Sequence, residues 1–200
     1  MNGFSLDQER IAKIISYLFL PPVVNLISFI AVIWFFESNH DRRSTSIFFT
    51  SLFTVFFPVM VFILFLKKGN IADADARNRN ERHIPYLVFA AIILTGYLMI
   101  PWDQFADETR ILFLIYLLNL LFLFFVNLFW KISAHTMGAG GLTGTFIFLF
   151  GWWGLMLLPV IMILSWARFK LKCHTPWQLF FGAFFGILNT LLFFKFLPLL

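Results

Sequence analysis

The sequence predicts an all-α, polytopic transmembrane helical bundle, and three observations predict it. The chain of 200 residues is 60% hydrophobic and only 12% charged, with a mean hydropathy of +0.86; a soluble domain is about half apolar and a quarter charged. The apolar residues fall in runs of about 20, the length that crosses a hydrocarbon core of roughly 30 Å. These runs, residues 111–130 among them, do not alternate polar with apolar as barrel strands must. Lipid satisfies no backbone hydrogen bonds, so an unalternating span is a helix.

Seven segments follow in order. Residues 14–36 form the first and carry Pro21-Pro22, which kinks it. Residues 46–66, 84–102 and 111–130 are the next three. The stretch from Lys131 to His174 reads as two shorter helices, 133–150 and 155–168, turning at Gly151-Trp152-Trp153-Gly154. Paired glycines break a helix, and indoles suit a headgroup interface. The last segment is 176–197. A first segment lying on the membrane surface would leave six spans. Residues 1–10 are polar and lack a basic region leading into a short apolar core, so no cleavable signal peptide is expected. The longest polar stretch, residues 67–83, is too short for a soluble core. One integral membrane domain over residues 1–200 is the reading.

Charge placement supports the count. With seven spans, one face receives Arg10, Lys13, Lys67, Lys68, Arg77, Arg79, Arg82, Lys131, Arg168, Lys170 and Lys172. The other receives Arg42, Arg43 and Arg110, with Lys195 nearby. Positive residues stay inside, which labels the first face cytoplasmic in a multi-pass protein of the cell membrane. The net charge of +5 is then a topology signal and calls for no nucleic acid. The single cysteine, Cys173, excludes an intramolecular disulfide and a Cys-rich metal site. The sequence carries no signal for an oligomeric state.

The unusual polar residues near membrane depth gather on the basic face. His135 follows Ser133 at the start of the fifth helix, Arg168 ends the sixth, and His174 precedes the seventh. Ionisable residues at helix ends within a bundle point to function. Two histidines with convergent Arg and Lys suit a phosphate. Arginine grips its oxygens in pairs, and one histidine can attack phosphorus while the other protonates the leaving oxygen.

Ile132-Ser133-Ala134-His135 resembles the Pro-Ser-Gly-His motif of the type 2 phosphatidic acid phosphatase superfamily. Ala167-Arg168, five residues, His174, three residues and Gln178 resemble its Ser-Arg-x5-His-x3-Asp motif. The resemblance covers mainly residues 130–197, with weaker support from 67–85, so the motif-bearing part is about 67–197. It implies a phosphohistidine mechanism on a lipid phosphate or diphosphate, with no cofactor and no metal. His174 would be the nucleophile, His135 the general acid, and Arg168 a phosphoryl ligand. Ser133, Arg82, Lys68 and Lys131 would contribute to substrate binding, and Gln178 would support His174. Membrane lipids and a lipid phosphate are the expected partners.

The chain departs from the pattern in three places. The Lys-x6-Arg-Pro motif is absent, and Asp75 stands seven residues before Arg82. Ala134 and Ile132 replace glycine and proline. Gln178 stands where the family has an aspartate that polarises the nucleophilic histidine. A PAP2-like protein that binds anionic lipid without turning it over is the alternative, and a transporter or scaffold ranks below both.

Local readings stand beside the functional ones. Thr175-Pro176-Trp177-Gln178 is a capping box with proline at the first helical position, and Ser133 suits an N-cap. Gly140 and Gly144 read as a close helix contact. Asp73, Asp75 and Glu81 read as a solvated loop, His40 as surface, and His83 as an interfacial residue or a participant.

Overall fold

A computed structural model describes residues 3–197 except 74 and 76, with side chains from residue 6 onward. The described residues are helical apart from turns and loops. Helix α1 is Gly3–Leu18 and α2 is Pro21–Phe36. The predicted single kinked helix is thus two helices, bent by 42°. Pro21 and Pro22 open α2, where their missing N–H groups cost nothing, instead of interrupting a longer helix.

Helix α3, His40–Lys67, starts six residues earlier than the apolar pattern predicts. Asn39 caps it by accepting from the Asp41 and Arg42 N–H groups. A π-helical segment, Leu52–Phe56, interrupts it just before Pro58. Pro58 cannot donate to the Thr54 carbonyl, and the Tyr116 hydroxyl donates to it instead, at 3.3 Å. A polar side chain thus satisfies backbone that lipid could not.

Helices α4 (His83–Met99) and α5 (Asp107–Phe129) follow, α4 entered through a 3-10 turn at Arg79–Arg82. Then come α6 (Ala134–Phe150), a 3-10 turn at Gly151–Leu157, α7 (Leu158–Lys170) and α8 (Pro176–Phe196). Among the described residues, five helices are long and apolar enough to cross a membrane, and the bent pair α1–α2 makes a sixth. The run Ala134–Lys170 counts once among the five by its length of 37 residues. Straight, it would reach about 55 Å. It is folded back instead: Lys131 Nζ, just before it, donates to the Cys173 carbonyl, just after it, at 2.7 Å. Gly151 adopts a φ of +62° at the end of α6, and Gly154 lies so close to Phe146 and Ile147 that a Cβ there would fall 2.3 Å from the Ile147 nitrogen. Trp152 and Trp153 are exposed at this bend. The expected hairpin is present.

The tightest helix pair is α6 with α8. A Cβ on Gly140 would meet the Ala183 carbonyl oxygen at 2.3 Å, and one on Gly186 would meet the Met137 oxygen at the same distance. A Cβ on Gly182 would lie 2.4 Å from Thr136 Oγ1 and 2.8 Å from the Ser133 oxygen. Between membrane helices there is little hydrophobic drive, so small residues that let backbones touch carry the association. The seam sets the starts of α6 and α8 side by side, with the Ser133 N–H donating to the Gln178 carbonyl at 3.3 Å.

Candidate functional site

The ends of α6, α7 and α8 bring the two motifs together. Ser133 caps α6, its Oγ accepting from the Thr136 N–H at 3.3 Å, which places His135 in the first turn. The α7 terminus closes with the Cys173 N–H on the Arg168 carbonyl and the Lys172 N–H on that of Phe169, a Schellman arrangement. Its left-handed position is filled by Lys172, φ +56°, where glycine is usual. That turn leads from Arg168 to His174 in six residues.

Gln178 has two roles. Its Oε1 accepts from the Thr175 N–H at 3.1 Å, completing the capping box, and also lies 3.3 Å from His174 Nδ1. An amide oxygen only accepts, so Nδ1 carries the ring proton and Nε2 keeps the lone pair. His174 is 6% exposed. Burial, then the charges of Arg82, Lys131 and Arg168, push its imidazole down to about 2. It is a neutral base at any ordinary pH.

Arg168 is 1% exposed. Its Nη1 donates to Ser16 Oγ of α1 at 2.6 Å and to Asp75 Oδ1 at 2.5 Å. Asp75 was expected in a solvated loop; instead it is half-buried and paired with the arginine of the second motif. Burial pushes its carboxyl up, but the adjacent Arg168 guanidinium, with Arg77, outweighs this and leaves it below the usual carboxylate range. Arg82 is buried, with Nη1 on the Ile132 carbonyl at 3.2 Å and Nη2 on the Asp75 carbonyl at 3.3 Å. Lys131 Nζ bridges the Arg77 and Cys173 carbonyls at 2.8 and 2.7 Å, and burial and then Arg82 lower its ammonium.

A cavity of about 420 Å³ opens here. Asp75, Arg82, His135 and His174 line its polar end. Leu20, Phe62, Ile63, Phe89, Leu120 and Leu123 line much of the rest. Of the other predicted residues, Arg168 adjoins the cavity through Asp75, while Ser133, Lys131 and Gln178 do not line it. Lys68 is exposed at the end of α3 and does not line it. His83 is fixed between α4 and α5 by the Asn127 carbonyl, 3.3 Å from Nε2, and His40 is exposed.

Several buried polar atoms have no hydrogen-bond partner among the described residues, and three of them belong to this site: His135 Nε2, Arg168 Nε and Arg168 Nη2. Buried polar groups are almost always paired, and His135 lies within electrostatic reach of Arg168, Asp75 and Arg82. The arrangement is chemically suited to an anion that accepts hydrogen bonds and meets a neutral imidazole. No group of three or more His, Cys, Asp or Glu among the described residues is placed to hold a metal ion. Asp75 had no local signal in the sequence; only its coincidence with the lysine position of the broken first motif marked it. Compared with known proteins, the chain matches no family model, no curated protein and no solved structure.

Proposed function

We propose that the chain is a membrane-embedded phosphatase or phosphotransferase acting on a lipid phosphate or diphosphate through a phosphohistidine, with a core like that of the type 2 phosphatidic acid phosphatases. The single observation that carries the reading is the set of unpartnered atoms on His135 and Arg168: His135 lines, with His174, a cavity that continues into apolar lining, and Arg168 adjoins it through its partner Asp75. Buried polar atoms without partners are costly, and a phosphate supplies acceptors for the Arg168 N–H groups.

In this reading His135 takes up a proton at Nε2 as the lipid phosphate enters; His174 Nε2 then bonds to phosphorus as the bond to the lipid oxygen breaks, and His135 gives that oxygen its proton. Water then attacks phosphorus, returns a proton to His135 and frees His174, releasing inorganic phosphate. Counting both arms of the 134–170 hairpin gives seven crossings, with the site on the basic, cytoplasmic face.

The test is phosphate release from a lipid phosphate by purified protein in chelator. His174→Ala should abolish it, and unchanged release in that variant overturns the mechanism. A second reading, a lipid-phosphate binder without turnover, is favoured by Gln178 in place of a carboxylate and by the Asp75 carboxylate already on Arg168.

A further inference from the structure

The cavity is not apolar throughout. Asn25 of α2 and Tyr116 and Asn119 of α5 line it, and all three are only partly buried although they lie within spanning helices. Asn119 Nδ2 donates to Thr190 Oγ1 at 3.4 Å, and its Oδ1 accepts from Asn189 at 3.2 Å. Tyr116 donates to the Thr54 carbonyl, and Asn25 is bonded to the Tyr116 hydroxyl. Tyr116 is thus held by the π segment. Asn25 and Asn119 each retain amide capacity toward the cavity. Amides exposed at membrane depth face either protein or a polar cavity content, because hydrocarbon satisfies neither donor nor acceptor.

Their depth is readable from the seam. Thr190, the partner of Asn119, approaches Gly141 and Gly144. Gly141 and Gly144 lie six and nine residues along α6 from His135, about 9 and about 14 Å down the axis. We infer that Asn25 and Asn119 form a second polar subsite, which selects lipid phosphates carrying a hydrogen-bonding group (an ester carbonyl, amide or hydroxyl) on the chain about 9–14 Å below the phosphorus. This rests on the lipid-phosphate reading above and adds to it a discrimination against purely hydrocarbon chains. A plain alkyl or polyprenyl chain would leave the remaining donor and acceptor capacity of both amides unmet, the arrangement by which buried polar groups reject an analogue lacking the matching group.

Binding, not turnover, tests it, so that a catalytically silent protein still answers. Two probes of equal length are compared on protein in nanodiscs: an unbranched long-chain alkyl phosphate, and its isostere with an amide at that depth. The amide probe should bind about tenfold more tightly. The gap should close in Asn119→Leu, and in Asn25→Leu, which leaves the Asn119–Asn189–Thr190 chain intact. Equal binding of the two probes by the unaltered protein, or a gap that survives both substitutions, overturns the subsite while leaving the phosphate site standing. Binding of neither probe overturns both. Binding with the expected gap but no phosphate release supports the subsite and removes only the catalytic reading.

Discussion

Asp75 Oδ1 lies 2.5 Å from Arg168 Nη1, joining a loop acid to a helix-end arginine across 93 residues of sequence. The arginine of the second motif thus already holds an anion of the protein's own. Asp75 steadies the buried cation, and under the proposed function it would also compete with an incoming ligand for it.

Asp75→Asn separates those two effects. Without ligand the variant should lose about 1–3 kcal/mol of stability, since Arg168 is left buried with a neutral partner. With vanadate it should recover more than the unaltered protein does, and vanadate should bind about tenfold more tightly. Thermal unfolding in detergent across a vanadate series reads both. An unchanged vanadate affinity would remove Arg168 from the anion site.

Gln178→Asp restores a carboxylate behind His174. The amide orients the imidazole but does not stabilise its cation. If the chain turns over lipid phosphate, the substitution should raise the rate by about 10²–10⁴-fold, by analogy with the carboxylate-to-amide change in serine proteases. The measure is kcat for phosphate release, with circular dichroism to verify that the variant keeps its helical content.

The lowered His174 gives a sign for acid behaviour. Its folded value, about 2, lies below the ordinary 6.5, so the unfolded chain binds the extra proton between those limits. Stability from this group is full above pH ~6.5 and falls as pH drops below it. Asp75 acts in the same direction lower down, being stabilising above its unfolded value and lost as it protonates. Nitrogen NMR of labelled histidine should show His174 as the neutral Nδ1–H form at pH 5. A protonated ring there contradicts the buried geometry.

The helix seam discriminates between neighbouring glycines. At Gly186 a Cβ would lie 2.3 Å from the Met137 oxygen, whereas at Gly141 it would meet only Thr190 Oγ1 at 3.6 Å. Gly186→Ala should cost about 1–3 kcal/mol through forced separation of α6 and α8. Gly141→Ala should stay within about 0.5 kcal/mol. Paired melting curves decide it.

Lys172 holds a left-handed conformation that disfavours any side chain. Lys172→Gly should raise stability by about 0.5–1 kcal/mol, the relief of strain outweighing glycine's greater unfolded freedom. A drop would mean that the Lys172 side chain itself holds the turn.

Much of this architecture was legible in local sequence, because the signals involved are local. Thr175 through Gln178 contains every atom of its capping box, and Gly140 and Gly144 announce their packing by spacing alone. The start of α3 at His40 was not legible, since its first turn is polar and only Asn39 marks the boundary. The division at Pro21 was read as a kink because proline permits either outcome until neighbours decide. In the candidate site, the motif residues Arg82, Arg168, His135 and His174 were visible. The engagement of Asp75 with Arg168 depends on how a loop settles against three helix ends, and no periodicity encodes that. Asn25 and Asn119 went unmarked for a related reason: each is an isolated amide in an apolar run, and their common cavity exists only after folding.

The glycine seam has a consequence for length. From His135 to Gly140 the chain is unbroken helix, as it is from Gln178 to Gly186. One residue inserted in either stretch would swing the motif side chain about 100° around its axis and shift it about 1.5 Å along it. Beyond Thr190, nothing in the motif depends on the count. The two histidines are therefore set against each other like marks on a pair of locked rulers. Away from the seam glycines a change of identity along these stretches can be absorbed, but a change of number cannot.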